Sequence, residues 1–83
     1  MIRLLYFAWV REGIGLDGED YPLAEQVHLA AVIDALAERS GGYATALHDR
    51  ARLKFALNQA MVGADAVVHP GDELAIFPPV TGG

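Results

Sequence analysis

Hydrophobic residues dominate the start of the chain and predict an extended segment there. Residues 2–10 are rich in aromatic and branched apolar side chains, a composition typical of a β-strand. Successive side chains of a strand point to opposite faces. One face would carry Ile2, Leu4, Tyr6, Ala8 and Val10, and the other Arg3, Leu5, Phe7, Trp9 and Arg11. Because both faces are apolar at their centres, both need a covering surface.

The next segments predict a hairpin followed by a helix. Three glycines within residues 13–18 favour a loop, and residues 21–27 can pair back onto the first strand. Apolar side chains then recur at helical spacing, at Leu29, Val32, Ile33, Leu36 and Ala37. This stripe predicts a helix that packs one face on a sheet and ends at Ser-Gly-Gly, residues 40–42.

The second half of the chain predicts more strands. Residues 43–49 can form a helical turn, and residues 52–58 alternate as a third strand with Leu53, Phe55 and Leu57 facing inward. The remaining predicted elements are short strands at 60–62 and 66–68 around a turn at Gly63, a turn at 69–72, and a last strand at 73–77 with Leu74 and Ile76 inward. The pattern predicts an α+β fold, with a mixed sheet of four to five strands on one main helix.

Composition narrows the class of function. The chain has 83 residues, enough for one domain, predicted to span residues 1–79. Its net charge is -5 and Lys54 is its only lysine, so a nucleic-acid partner is not expected. Cysteine is absent, which excludes disulfides and thiol nucleophiles. Arg3 and Arg11 interrupt the apolar start and no signal-peptide pattern is present, so we expect a cytoplasmic protein without a membrane anchor.

The neighbouring residues argue against several candidate binding sites. Gly13 to Gly18 fit G-x-G-x-x-G after a predicted strand, but Glu19 to Pro22 follow where a phosphate-binding turn needs a helix. The three histidines, His28, His48 and His69, lack metal-ligand spacing, so no metal site is predicted. The acidic residues Asp17, Glu19, Asp20 and Glu38 are interpreted as solvated surface.

An uncovered sheet face is the predicted binding surface. A single helix covers one face, which leaves Leu5, Phe7 and Trp9 on the other. Phe77 and Met61 can extend this apolar patch, as an interaction surface requires. Arg11, at the predicted strand end, is a further candidate partner contact. The alternative is that a long loop covers these side chains as a second small core.

The end of the sequence predicts a projecting tail at residues 80–83. Pro78 and Pro79 fix φ and lack backbone donors, so they can end a strand and extend the chain. From Pro78 to Gly83 the tail reaches about 20 Å at most, at ~3.3 to 3.6 Å per residue. Gly82 and Gly83 lack Cβ atoms, so the tip can enter a channel too narrow for other residues.

The ending Phe-Pro-Pro-Val-Thr-Gly-Gly, residues 77–83, resembles the small subunit of molybdopterin synthase. That family belongs to the ubiquitin-like β-grasp sulfur carriers. The similarity continues in the opening strand before Arg11-Glu12, the central helix, Asn58-Gln59, and Gly-Asp-Glu-Leu at residues 71–74. The tail motif is specific, and the other features support it.

The resemblance implies a role for the tail. An ATP-dependent adenylating partner would activate the carboxylate of Gly83, and sulfur would replace AMP to give a thiocarboxylate. Val80, Thr81, Gly82 and Gly83 would then enter the large synthase subunit, in an assembly of two small and two large subunits. There the sulfur would pass to the pterin precursor of the molybdenum cofactor. The chain would bind no cofactor and would not be an enzyme on its own.

Two other functions remain open from the sequence. A β-grasp carrier could serve another acceptor, such as the thiazole of thiamine or a protein lysine. A different class of function is a non-covalent interaction module that uses the surface around Phe7 and Phe77 and has an inert tail. The Pro-Pro-Val-Thr segment before Gly82 favours the molybdopterin branch.

Overall fold

The structure is a computed structural model that describes residues 1–79. The predicted tail, residues 80–83, lies outside the described residues. A five-stranded mixed sheet contains β1 (Ile2–Tyr6), β2 (Gly18–Tyr21), β4 (Lys54–Leu57), β5 (Ala60–Val62) and β7 (Glu73–Phe77). The strand order in this sheet is β2-β1-β7-β4-β5. The short strands β3 (Val27–His28) and β6 (Val67–Val68) pair separately.

Three helices connect these strands. They are α1 (Ala8–Ile14), α2 (Leu29–Ala37) and α3 (Tyr43–Leu47), and a 3-10 turn spans Arg50–Arg52. The predicted main helix, α2, is confirmed. The fold is α+β, as the sequence predicts, although α1 and α3 accompany α2. No helix in residues 1–79 is both long enough and apolar enough to cross a membrane.

One hydrophobic core holds the sheet to the helices. The side chains predicted to face inward from β1, α2 and β7 are buried, except that Ala37 is partly buried and packs against the core. The core includes Ile2, Leu4, Tyr6, Leu29, Val32, Ile33, Leu36, Leu53, Phe55, Leu74 and Ile76. Every buried hydrophobic residue of the described chain belongs to this one cluster. Fully burying one such side chain contributes about 1.5–3 kcal/mol, so the cluster is the main source of stability.

The first predicted strand is too long. It ends at Tyr6, and residues 8–14 form α1 instead. Val10 and Ile14 are four residues apart, so one helix face turns both toward the core. Gly15 ends the helix with φ 91°, and its N–H donates to the carbonyl of Arg11. A helix therefore buries Val10 where the expected alternation placed a strand.

The second predicted strand is misplaced. Residues 18–21 pair antiparallel with β1, whereas residues 22–26 lie outside any strand and only Val27 and His28 reach the small second sheet. Close approach explains the position of Gly18, because a Cβ there would lie 2.5 Å from the carbonyl oxygen of Leu4. The strand begins where only glycine fits against β1.

Candidate docking face

Residues on the uncovered side of the sheet form a continuous apolar row. The strand register aligns Leu5 with Ala75, Ala75 with Ala56, and Ala56 with Met61. Directly opposite residues share a face, and the alternate residues of β1 and β7 are buried in the core. The row therefore points away from the core.

Two phenylalanines extend this row toward the end of β7. Phe7 and Phe77 pack edge to face, with ring centroids 6.5 Å apart and an interplanar angle of 83°. Phe7 is 45% exposed and Met61 is 63% exposed. We call the six residues Leu5, Phe7, Ala56, Met61, Ala75 and Phe77 the open face. None of them belongs to the core cluster or packs against it, so residues 1–79 contain no second small core at this site.

Trp9 and Arg11 do not lie with the open face, contrary to the predicted alternation. Both belong to α1, where Trp9 is half-buried and packs against the core. The guanidinium of Arg52 lies 5.4 Å from the centre of the Trp9 ring. Arg11 is exposed and faces Asp17, with Nε and Oδ1 3.8 Å apart. Because both side chains belong to a helix and not to a strand, strand alternation does not place them on the open face.

The strand that leads to the tail is central in the sheet. β7 pairs parallel with β1 and antiparallel with β4, so both of its edges are hydrogen-bonded. The N–H of Phe7 also donates to the carbonyl of Ile76 at 3.2 Å. Pro78 and Pro79 follow Phe77 and have no N–H with which to continue a ladder. The predicted tail residues Val80, Thr81, Gly82 and Gly83 lie outside the described residues.

A hydrogen-bonded turn fixes the other end of β7. Asn58 and Gln59 have φ angles of 52° and 71° and form the two-residue turn between β4 and β5. The Asn58 amide donates to Oδ1 of Asp72 at 3.0 Å, and the N–H of Glu73 donates to Oδ1 of Asn58 at 2.9 Å. Hydrogen bonds from Asn58 and from the N–H of His69 lower the pKa of Asp72. Two segments that carried the family resemblance thus meet in one contact.

A polar cluster on the core side of the sheet was missed by the sequence interpretation. Glu19, expected on solvated surface, accepts hydrogen bonds from the hydroxyls of Tyr6 at 2.8 Å and Tyr43 at 2.6 Å. The Arg39 guanidinium donates to it at 2.9 Å and lies over the rings of Tyr21 and Tyr43. Glu19 is opposite Leu4 in the register, which places it on the core side. The sequence could have indicated this position of Glu19 only if the second strand had been predicted at residues 18–21.

The electrostatics of this cluster follow from its contacts. Burial opposes ionisation of Glu19, but hydrogen bonds from Tyr43, Tyr6 and Arg39 outweigh it and lower the pKa of the carboxyl. Burial and the adjacent Glu19 carboxylate raise the pKa of Tyr6. The cluster joins β1 and β2 to the C-terminal side of α2 and to α3, so its evident role is structural.

The remaining candidate motifs lack the geometry of a site. Gly13 lies in α1, Gly15 caps that helix and Gly18 begins β2, so these glycines open no helix toward a phosphate. Within residues 1–79, no cluster of three or more histidine or acidic side chains could hold a metal ion. The open face and the strand leading into the tail are therefore the features that point to function.

Comparison with known proteins identifies the family. The profile of the ThiS family matches residues 4–83. The chain belongs to the ThiS family. Two curated relatives are the molybdopterin synthase sulfur carrier subunits of Haemophilus influenzae, 40% identical, and Escherichia coli, 42% identical. Each alignment spans 87 positions and covers 100% of both proteins. The resemblance drawn from the ending and the supporting segments is confirmed.

Solved structures give the same result for the fold of this ThiS family member. The crystal structure of SAMP1 from Haloferax volcanii superposes with a TM-score of 0.75 and 25% identity, covering 99% of this chain and 98% of that one. The solution structure of the H. volcanii HVO 2177 protein has a TM-score of 0.79 at 22% identity, covering 99% and 85%. The ubiquitin-like β-grasp fold expected from the resemblance is confirmed.

Proposed function

We propose that this chain is the sulfur carrier subunit of a molybdopterin synthase and carries sulfur as a thiocarboxylate on Gly83. The observation that carries the proposal is the full-length likeness to two curated molybdopterin synthase sulfur carrier subunits. The match to the family profile runs through Gly83. The partner that receives the sulfur carrier is the large synthase subunit, which holds the catalytic groups.

The chemistry of the proposal needs only the end of the chain. A terminal carboxyl has a reference pKa of ~3.3–3.7, so at neutral pH it is an ionised nucleophile. In the activating enzyme its oxygen bonds to the α-phosphorus of ATP and pyrophosphate leaves. Hydrosulfide released from a sulfur donor then attacks the carbonyl carbon, the C–S bond forms, AMP leaves with one carboxyl oxygen, and loss of the S–H proton gives the thiocarboxylate. ATP is thus a substrate of the activating enzyme, and this chain holds no cofactor of its own.

The narrow end of the tail suits the next step. Gly82 and Gly83 have no side chains, so the thiocarboxylate can reach a buried centre in the large subunit. Val80 and Thr81 would line the channel behind them. The thiocarboxylate sulfur would attack a carbon of the pterin precursor and displace an oxygen substituent, and water would then cleave the thioester to release the sulfur and return Gly83 as a carboxylate. Two such deliveries would complete the dithiolene.

The open face supplies the non-covalent part of this proposal. Phe7, Phe77 and Met61 would dock on the large subunit, with Leu5 at the centre of the apolar row. Exposed aromatic side chains of this kind often dominate binding energy. Docking through a rigid sheet would place the first tail residues at a fixed entry point.

The first experiment tests the covalent step. The purified chain is incubated with the adenylating enzyme, ATP and a sulfur donor, and its intact mass is measured. We expect a species in which one oxygen is replaced by sulfur, and no such species in a variant that lacks Gly83. Recovery of the carboxylate form alone from the complete mixture contradicts the sulfur-carrier proposal. A pathway that still works without Gly83 supports the inert-tail alternative.

The second experiment tests the docking face. Phe7→Asp should weaken binding to the large subunit by tenfold or more, because hot-spot residues contribute about 2 kcal/mol or more. Leu16→Asp is the matched control, since Leu16 is 44% exposed, close to the 45% of Phe7, but lies in the loop after α1. Equal affinities for the two variants contradict the assignment. Loss of folding in Phe7→Asp alone would place Phe7 in a core.

Protein modification is the second candidate function. The likeness to SAMP1, named a small archaeal modifier protein, favours it over thiamine synthesis. Supplying the thiocarboxylate form with the large subunit and pterin precursor, or with a cell extract, separates the two. Sulfur transfer to the pterin supports the first function, and conjugates on protein lysines support the second.

A further inference from the structure

The distribution of ion pairs leaves two cations at one place. Four of the six basic residues have acidic partners: Arg3 with Asp20, Arg11 with Asp17, Arg39 with Glu19, and Arg50 with Asp34. Within residues 1–79, Arg52 and Lys54 have no carboxylate within ion-pairing distance. These two cations lie two residues apart in a chain of net charge -5.

These two side chains lie near Phe77, the last residue of β7. Lys54 is directly opposite Phe77 in the antiparallel pairing of β4 with β7. Lys54 is exposed and shares the open face with Phe77, because the next residue, Phe55, is buried on the core side. Because β4 and β7 are antiparallel, the start of β4 and the end of β7 lie at the same end of the sheet. Arg52 precedes Lys54 by two residues in the 3-10 turn Arg50–Arg52 and is exposed near that end.

Arg52 is also held in position. Its guanidinium stacks on Trp9, with the carbon atom 5.4 Å from the ring centre, and Trp9 packs against the core. A stacked guanidinium keeps its donors available at the ring edge and loses less freedom when it binds a carboxylate. The structure thus holds an oriented cation next to the open face.

We propose that Arg52 and Lys54 bind acidic side chains of the partner protein beside the entrance of the channel that receives the tail. The inference rests on the proposed function and adds the chemistry of the partner's surface. A carboxylate of the partner can accept two hydrogen bonds from the Arg52 guanidinium, while the Lys54 ammonium lies next to the apolar contact at Phe77. Such complementary charges speed association and fix orientation. The two cations would align the tail with the channel before the open face makes contact with the large subunit.

The test measures association of the full chain with the purified large subunit of molybdopterin synthase. The variant Arg52→Gln with Lys54→Gln removes two positive charges at this site. Its matched control, Ala24→Glu with Gln26→Glu, changes the net charge by the same amount in the exposed loop before β3. Rates are measured at about 50 mM and 500 mM salt, where screening differs strongly.

We expect the Arg52→Gln, Lys54→Gln variant to bind about tenfold more weakly at low salt, mainly through a slower association rate, and the deficit to shrink at high salt. The control variant should bind within about twofold of the unmodified chain, since exposed charges far from a contact have small effects. The Gln variant also loses the stacking contact between Arg52 and Trp9, so its Tm should fall by a few degrees at most, while the control variant should match the unmodified chain. Both variants should be fully folded at the assay temperature, which shows that binding alone has changed.

Four results would overturn the proposal. Unchanged affinity in the Arg52→Gln, Lys54→Gln variant removes the pair from the interface. An equal loss in the control variant reduces the effect to net charge, and tighter binding by the Gln variant shows that positive charge at this site opposes the partner. If the unmodified chain does not bind this subunit, both the proposed function and the role of Arg52 and Lys54 are contradicted. The other outcomes contradict only the role of Arg52 and Lys54.

Discussion

The hydrogen-bonded cluster around Glu19 provides a quantitative test of the fold. Glu19→Gln keeps the shape of the side chain but removes its charge and places an amide N–H₂ group among donors. Hydrogen bonds to charged groups contribute about 1.5–3 kcal/mol each. One amide oxygen remains to accept, and the ion pair with Arg39 is screened because the Arg39 side chain is 35% exposed. We therefore expect a net loss of about 2 kcal/mol at pH 7.

Urea unfolding followed by far-ultraviolet circular dichroism measures this loss, and thermal unfolding gives a second readout. For a domain of this size, about 2 kcal/mol corresponds to a fall in Tm of roughly 8–16 °C. Tyr6→Phe is a useful companion, because it removes one hydrogen bond while leaving the ion pair intact. It should cost less than Glu19→Gln.

The pH dependence gives the sharper test. The pKa of Glu19 is lower in the folded protein than in the unfolded chain, where it is about 4.3. The stabilisation is therefore complete above the unfolded pKa and is lost as pH falls through the folded pKa. The unmodified protein and Glu19→Gln should converge in stability at acidic pH, where Glu19 is protonated. A difference that stays constant from pH 7 to acid, or is below about 0.5 kcal/mol at pH 7, refutes this reasoning.

Two further substitutions test the turn between β4 and β5, which is hydrogen-bonded to the start of β7, and the contact between α1 and α3. Asn58→Ala should destabilise by about 2–3 kcal/mol, because it loses two hydrogen bonds and adopts a left-handed φ, and Asn58→Gly should cost about 1 kcal/mol less. Urea unfolding checks the order, and an equal cost would show that φ does not matter there. Gly42→Ala should cost about 2 kcal/mol or more, since its Cβ would lie 1.6 Å from the Gly13 carbonyl oxygen. The neighbouring Ser40→Ala is the control, and equal unfolding midpoints for the two would contradict the close approach.

The elements that sequence predicts well are those with a long periodic pattern. The helix from Leu29 to Ala37 follows from its apolar stripe, and the inward side chains of β7 follow from alternation. In contrast, residues 8–10 are apolar and aromatic whether they form a strand or a helix. The spacing of Val10 and Ile14, followed by Gly15, was the available helix signal. Apolar composition alone does not distinguish the alternation of a strand from the 3.6-residue period of a helix.

The open face could be predicted in part for the same reason. Leu5, Phe7, Phe77 and Met61 lie on it as expected, because strand parity fixes their direction. Trp9 does not, since the parity argument fails once the strand ends at Tyr6. The cluster of Glu19 with Tyr43 and Arg39 depends on contacts 20 and 24 residues apart in sequence. No local pattern encodes such contacts, so only the assembled fold brings them together.

The central position of β7 has a mechanical consequence. A pull on the chain beyond Pro79 acts along a strand that is bonded to β1 on one side and to β4 on the other. Both ladders then carry the load in shear, so their hydrogen bonds resist together instead of opening one at a time. A peripheral strand would peel away under the same tension. The sheet should therefore resist unfolding when tension is applied to the domain through Pro79.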